Sequence, residues 1–334
     1  MRALTVVSPG VVELQERAAL VAGSGEVLIR PHVVGICGTD LDIIDGSIDP
    51  AFIRYPIVIG HEWAGTVLES DSASLSVGDR VVVEGVIPCG HCDSCRVGAT
   101  NRCDTYDEFG FTRDGAAAEL FVTPAAQVHR LNANVSWETG ALVEPAAVVL
   151  RALTSANPRP HARILVIGDG TVGLLAATLV RLFDPQHVTL LGLRPEQAPL
   201  ADRAQVDKFT TNPSELTNEF DVVIEAAGAT AATTLALRLA TRGGVIVLLG
   251  FPGQGQTVPL AVDDVVNNDL TIMGSFSYTS EAWAAVVALF NEGRFDVTWL
   301  VTHRYPLIAY EDGINALRHA TGARGKVLLE IAHA

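Results

Sequence analysis

The chain reads as an α/β protein of two domains, a small barrel-like β domain and a doubly wound parallel sheet. Three observations predict this. Up to about Ala147 the chain consists of short alternating segments broken by Gly, Pro and Asp. From about Arg163 the strands become continuous apolar runs with helical stretches between them. The length, 334 residues, is too great for one ordinary core and suits two.

In the first part, EVLIRPHVVGI, WAGTVLES, DRVVVEG and AAELFVT carry the strand signals. Their close spacing points to a small barrel. In the second part, ILVIG is an apolar run that ends in Gly, and TVGLLAATLVRLF then shows helical spacing. VTLLGL, DVVIEAAG, GVIVLLG and LTIMGSF are further apolar strands, with TAATTLALRLA and VDDVVNND as helices among them. Fully apolar strands alternating with helices predict a parallel sheet covered on both faces. LTIMGSF is expected at the sheet edge, where it invites pairing with a second subunit. After the helix SEAWAAVVALFNEG, the segments THRYPL and GKVLLEIA are expected to rejoin the first domain. The expected division is 1–150, with a cysteine lobe at 88–104, then 151–288, then a return at 289–334.

Composition is that of an ordinary globular protein, 49% hydrophobic and 18% charged. A net charge of -15 argues against nucleic acid or an anionic membrane as partner. MRALTVVSPGVVELQE has no long apolar run with a basic flank, and no window resembles a membrane span. The expectation is a cytoplasmic chain, in whose reducing surroundings clustered cysteines are metal ligands rather than disulfides.

Gly168-Asp169-Gly170-Thr171-Val172-Gly173 is GxGxxG, placed directly after ILVI and opening a helix. In that context the motif marks a dinucleotide site. The first Gly permits the turn, the second lets backbone approach a pyrophosphate, and the third lets helix and strand pack. The helix N-terminus supplies amide donors and the positive end of its dipole. An acidic residue about 20 residues on normally holds the adenosine ribose. That place is taken by Gly192, followed by Leu193 and Arg194. A missing carboxylate and a nearby guanidinium favour NADP(H) over NAD(H). Ala227-Gly228, Gly250-Phe251 and Ser275-Phe276 close the later strands, where cofactor contacts in open α/β sheets lie.

Four of the five cysteines, Cys89, Cys92, Cys95 and Cys103, are spaced C-x2-C-x2-C-x7-C. Four thiolates fill a tetrahedral zinc shell and leave no open position. A four-cysteine iron–sulfur cluster is the competing metal reading, and a redox loop the non-metal one. Cys37 stands apart in GICGTD, with His61 and Glu62 in GHEWAG and Glu144 in LVEPAA. A thiolate, an imidazole and one or two carboxylates leave room for a further ligand, the composition of a catalytic zinc site.

Together, GICGTD, GHEWAG, the cysteine lobe and GDGTVG resemble the zinc-dependent medium-chain dehydrogenase/reductases over essentially the whole chain. The resemblance implies a GroES-like β catalytic domain into which a Rossmann domain is inserted, and a dimer or tetramer. It implies one catalytic zinc at Cys37, His61 and Glu62 and one structural zinc in the lobe. Glu144-Pro145 resembles the fourth catalytic position of the polyol, sorbitol-like branch, where the glutamate binds zinc directly or through water. Thr39 matches the hydroxyl residue that hydrogen-bonds the substrate oxygen and passes its proton on. The segments GSFSYT and VTHRYPL are also similar to the polyol branch, and GLRP to the phosphate loop of NADP-dependent secondary alcohol dehydrogenases. The implied reaction passes a hydride between a secondary hydroxyl of a polyol, cyclitol or sugar-like alcohol and NAD(P). A simple secondary alcohol or ketone is the alternative substrate, and a non-catalytic dinucleotide sensor the alternative of another class. Two positions depart from the family pattern. Asp42 stands where many members carry a proton-relay His, and Gln205 replaces a Gly ahead of the third Rossmann strand, a change expected to be harmless.

Overall fold

The computed structural model describes residues 1–331. The chain begins with β1 (Arg2–Ser8), β2 (Val11–Glu16) and the long β3 (Glu26–Ile36), which runs into α1 (Gly38–Asp45). Strands β4 (Ile57–Val58), β5 (Glu62–Ser70) and β6 (Arg80–Val83) follow. The cysteine loop holds the short α2 (Asp93–Arg96). Strands β7 (Phe121–Pro124) and β8 (Val128–Arg130) lead to α3 (Trp137–Ala141) and α4 (Val143–Ala156).

The second part begins with β9 (Arg163–Ile167), α5 (Thr171–Leu179), β10 (His187–Leu191), α6 (Ala198–Arg203) and β11 (Lys208–Thr210). It continues with β12 (Phe220–Glu225), α7 (Thr230–Leu239), β13 (Ala240–Leu248), α8 (Val262–Asn267) and β14 (Thr271–Gly274). The chain then runs through α9 (Ser280–Asn291), β15 (Val301–Pro306), α10 (Tyr310–His319) and β16 (Lys326–Glu330).

Two compact units result. One holds Met1–Glu144, Thr279–Ala320 and the chain from Lys326; the other holds Pro145–Tyr278 and Thr321–Gly325. The boundaries differ from the expected 150/151 and 288/289. Helix α9 goes with the first unit, because its Ser280 side chain donates to Glu84 and its Asn291 amide donates to the Arg130 carbonyl. The short excursion Thr321–Gly325 into the second unit carries no periodic signal that sequence could show.

In the first unit a sheet of order β15-β16-β3-β5-β6-β8, with β7 also on β3, stands beside the smaller sheet β2-β1-β4. The alternation read from the sequence places Val27, Ile29, Val67, Val81 and Val83 in one shared core. β16 pairs antiparallel with β3, Val327 opposite Ile36, so the end of the chain closes the sheet next to the start of α1.

The second unit is a six-stranded parallel sheet of order β11-β10-β9-β12-β13-β14. Numbered within the unit this is 3-2-1-4-5-6, the doubly wound Rossmann order. β9 and β12 are nearly all buried, as continuous apolar runs demand. Strand order reverses between them, and ligands of such sheets bind at the carboxyl ends around that point. β14 is the edge strand, as LTIMGSF predicts.

Gln205 has φ 58, the left-handed region in which a side chain costs about 1–2 kcal/mol. Its carbonyl accepts a hydrogen bond from Arg181, so the turn keeps the shape that the absent glycine would take freely. Gln205→Gly should therefore stabilise the protein by about 0.5–1 kcal/mol, part of the relief being lost to the freer unfolded chain. A rise in the urea midpoint checks this; an unchanged or lower midpoint contradicts it.

Candidate active site

β3 ends at Ile36, and Cys37 becomes the N-cap of α1. Asp40, three residues on, returns its carboxylate to the cap: Oδ2 accepts the Cys37 N–H at 2.8 Å. This fixes the cysteine backbone where strand turns into helix. The other Asp40 oxygen lies 3.5 Å from His61 Nδ1, and both residues are buried. A carboxylate behind an imidazole orients the ring and leaves the opposite nitrogen for a metal. Burial pulls the His61 pKa down, but the charge of the adjacent Asp40, helped by Cys37, carries it well above the ordinary value.

His61 and Glu62 enter from the start of β5, opposite the end of β3, with Gly35 in register with Glu62. The Cys37 sulfur, a His61 nitrogen and a Glu62 oxygen lie within 4.8 Å of one another, so the three could hold one metal ion. Their chemistry, thiolate, imidazole and carboxylate, suits zinc and leaves at least one coordination position open. The Cys37 thiol donates to Thr39 Oγ1 at 3.7 Å, which places the Thr39 hydroxyl beside the prospective metal.

Glu62 is held from behind by Lys326, the first residue of β16. The ammonium donates to Glu62 Oε2 and, at 3.5 Å, to the Ile36 carbonyl. Both side chains are buried. Burial lowers the Lys326 pKa, but Glu62 and Cys37 raise it more, so the group is held charged. Gly35 is needed here: a Cβ would collide with Glu62 Oε2 and sit 3.2 Å from Lys326 Cδ.

Glu144, in the first turn of α4, falls outside the ligand trio but faces its charges. Burial pushes its pKa up to about 7, with His61 lowering and Glu62 raising it. Glu108, fully interior, is pushed up to about 8 by burial, with His61 lowering and Glu144 raising it. Asp42 is exposed on α1, and its Oδ1 accepts from Ser47 at 3.2 Å. Sequence reasoning missed Asp40, Lys326 and Glu108. The first had a usable signal, an acid at the third position of a helix whose cap is a candidate ligand. A lysine opening an apolar strand was a weaker one, and Glu108 had none.

In the lobe, Cys89, Cys92, Cys95 and Cys103 are free thiols whose sulfurs all lie within 4.8 Å of one another. Cys89 and Cys95 sulfurs are 3.9 Å apart. Zn–S bonds of about 2.3 Å give a tetrahedral edge of about 3.8 Å, so the spacing fits a single zinc; a multi-iron cluster needs more room. Backbone N–H groups of Cys89, Cys92 and Cys95 point at the sulfurs of Cys103, Cys89 and Cys92. Amide donors from His91 and Cys92 pull the Cys89 thiol down to about 6. Burial pushes the Cys95 thiol up to about 12, so the spacing that the sequence shows becomes a closed nest of four sulfurs of unequal acidity.

In the second unit, Gly168 ends β9 with φ 118, and a Cβ there would meet the Ala226 carbonyl carbon at 2.8 Å. Gly170 N-caps α5 with open space around it and no side chain capping the helix. Thr171 and Val172 form the first turn, and a Cβ on Gly173 would collide with the Gly168 carbonyl. An uncapped helix end above a bare glycine fits a pyrophosphate. Ala227 and Gly228 donate their N–H groups to Glu225 Oε1, both at 2.8 Å, and Gly250 packs directly on Gly228. Phe251 is exposed beyond it. Ser275 is buried and accepts from Arg151 at 2.7 Å, while Phe276 is partly exposed.

The end of β10 departs from expectation. Gly192 has no carboxylate of its own, but Asp169, from the glycine loop, lies over it. Asp169 Oδ2 accepts the N–H groups of Leu193 at 3.0 Å and Arg194 at 3.2 Å. A carboxylate therefore does stand at this strand end, with one oxygen occupied by backbone.

Comparison with known proteins agrees with this geometry. The alcohol dehydrogenase GroES-like domain family matches residues 23–133, and the glucose dehydrogenase C-terminus family matches residues 137–320. The chain is 30% identical over 321 residues to L-threonine 3-dehydrogenase of Yersinia pestis (strain Pestoides F), covering 92% of each. A zinc-binding dehydrogenase from Sinorhizobium meliloti 1021, determined bound to NADP, superposes with a TM-score of 0.92 at 26% identity, covering 98% of both chains. L-idonate 5-dehydrogenase from Escherichia coli K-12 gives a TM-score of 0.90 at 25% identity, covering 98% of this chain and 97% of that one. Family matches spanning both units, together with the thiolate–imidazole–carboxylate trio and the glycine loop, make this chain a member of the zinc-dependent medium-chain dehydrogenase/reductase family, an NAD(P)-dependent alcohol or polyol dehydrogenase.

Proposed function

We propose that the protein oxidises a secondary hydroxyl of a polyol, cyclitol or sugar-like alcohol, or reduces the matching ketone, with NADP(H) in preference to NAD(H). The observation that carries the reading is the trio Cys37, His61 and Glu62, backed by Asp40 and Lys326. The substrate class is supported by the polyol-type Glu144-Pro145 and by relatives named for secondary hydroxyls on polar substrates. Cofactor choice is supported by Arg194 at the end of β10, whose Nη2 is buried without a hydrogen-bond partner.

Cys37, His61 and Glu62 would hold a zinc ion that would supply a Lewis acid for the alcohol oxygen, and a bound dinucleotide would supply the hydride acceptor. The protein's own residues do the rest. Thr39, beside Cys37, accepts the substrate's hydroxyl proton through its own hydroxyl and hands it on. The relay histidine of many members is absent, and exposed Asp42 or solvent receives the proton. Asp40 keeps the His61 ring aligned. Lys326 holds Glu62 in place and balances its charge. Glu144, with its raised pKa, is a polar group poised near the trio, a ligand directly or through water. The glycine loop and the 227–228 and 250–251 turns hold the dinucleotide. The lobe holds a second, structural zinc. Unpaired cysteines suit a reducing compartment. Edge strand β14 supports a dimer or tetramer.

Metal analysis of the purified protein should give two zinc ions per chain. Cys37→Ser should remove one and lower kcat by at least about a thousandfold, while the fold melts near the wild-type temperature. Cys103→Ser should remove the other and show first as a lower melting temperature. Retention of full activity by Cys37→Ser would sink the mechanism.

Thr39→Val keeps shape and loses the proton path. It should cut kcat by about 10²–10⁴ with the zinc content unchanged. An activity screen over polyols, cyclitols and short secondary alcohols with both cofactors tests the substrate reading. Turnover of short alkyl alcohols alone would overturn it, and much better activity with NAD would overturn the cofactor preference.

A further inference from the structure

We infer that Arg324, brought in from the far end of the chain, joins Arg194 in a two-guanidinium pocket that takes the 2′-phosphate of the nicotinamide cofactor, and that Gln197 is the residue that positions it. The inference deepens the phosphorylated-cofactor reading above and rests on it.

The chain leaves the second unit at Tyr278 and re-enters it only for Thr321–Gly325. Nothing in the hydrophobic pattern requires this excursion. What holds it is Gln197, which is fully buried just after the Arg194 loop. Its amide nitrogen donates to the Asp169 carbonyl and to the Arg324 carbonyl, the latter at 2.9 Å. Its amide oxygen accepts the Arg324 N–H at 2.7 Å. One side chain thus clips the glycine loop to the backbone on both sides of Arg324. A buried amide with all these bonds made is a rigid link, because breaking any one leaves a polar group unsatisfied.

The clip fixes the Arg324 backbone beside the loop that carries Arg194. The Arg194 side chain reaches across to the returning segment, where Nη1 contacts the Gly322 carbonyl at 3.5 Å. Its Nη2 is buried and has no hydrogen-bond partner. A buried guanidinium nitrogen without an acceptor is costly, and an incoming phosphate oxygen would relieve it. Burial and the neighbouring Arg194 charge lower the Arg324 pKa, with Asp169 opposing them. The cluster therefore holds two cations against one carboxylate, and that carboxylate is already bound to two amides. Two cations kept together without a matching anion are an arrangement for binding one. Rigid guanidinium forks suit phosphate oxygens better than a point charge does.

Equilibrium fluorescence titrations of the full-length protein with NADPH and NADH give the preference as a ratio of dissociation constants. The wild type should favour NADPH by about tenfold or more. Arg324→Ala should reduce the ratio by about tenfold or more, the loss expected for one charge-assisted contact. Gln197→Met keeps the length but loses all three bonds, and should reduce the ratio as well. A wild type without NADPH preference overturns the phosphorylated-cofactor reading and this inference with it. A wild type that prefers NADPH, with Arg324→Ala retaining the full ratio, overturns this inference alone and leaves Arg194 as the whole phosphate site. Should Arg324→Ala fail to fold, Arg324→Gln is read against the same two outcomes.

Discussion

Lys326 opens β16 with its ammonium sealed against Glu62, 3% exposed, in the interior of the first unit. Taking both ions out of water costs several kcal/mol each, which only close pairing and further hydrogen bonds offset. Each part of the surroundings meets that demand. Gly35 gives up a side chain so that the carboxylate fits. The Ile36 carbonyl takes a second ammonium proton. The antiparallel pairing of β16 with β3 fixes the lysine backbone next to the strand that ends at Cys37. The pair ties the last strand of the chain to the two strands that carry the metal trio. The return of the chain to the first unit is therefore a condition of the site, because without Lys326 the Glu62 charge would be buried unpaired.

The same principle separates the two cysteine-bearing sites. In the lobe, four sulfurs lie within 4.8 Å of one another and receive backbone N–H groups. A metal held by all four would have no position left for a substrate. At Cys37 the ligands are mixed and each is backed by a different neighbour: Asp40 behind His61, Lys326 behind Glu62, the Thr39 hydroxyl beside the sulfur. Support from outside the ligand set allows a metal to stay in place with a position open. The raised pKa values of Glu108 and Glu144 belong to the same picture. Burial raises both carboxyls, while the His61 charge acts to lower them.

Much of this was legible in the sequence, and the division is physical. EVLIRPHVVGI and ILVIG show their periods because burial acts on every residue of a strand, so β3 and β9 could be placed. Metal trios and glycine loops are legible because coordination and close approach restrict residue type. Side-chain direction is not. Asp40 directly follows Thr39 and could have been named; that it serves both the helix cap and His61 depends on the turn at Cys37. Lys326 and Arg324 are two residues apart, yet one is sealed in the first unit and the other belongs to the second. No local pattern records that change of partner, because a single amide, Gln197, far away in sequence, decides it.

Asp169 shows how such a choice propagates. Its carboxylate lies over Gly192, where a Cβ would come within 2.5 Å of Oδ2 and 2.9 Å of the Asp169 Cβ. With Asp169 in the glycine loop, position 192 cannot carry an acid, on grounds of both space and like charge. The missing ribose-binding carboxylate and the acid in the loop are one feature seen from two sides. There the carboxylate accepts two amides through one oxygen and holds the Leu193–Arg194 turn. The carboxylate at this strand end is thereby a support of the loop that carries Arg194.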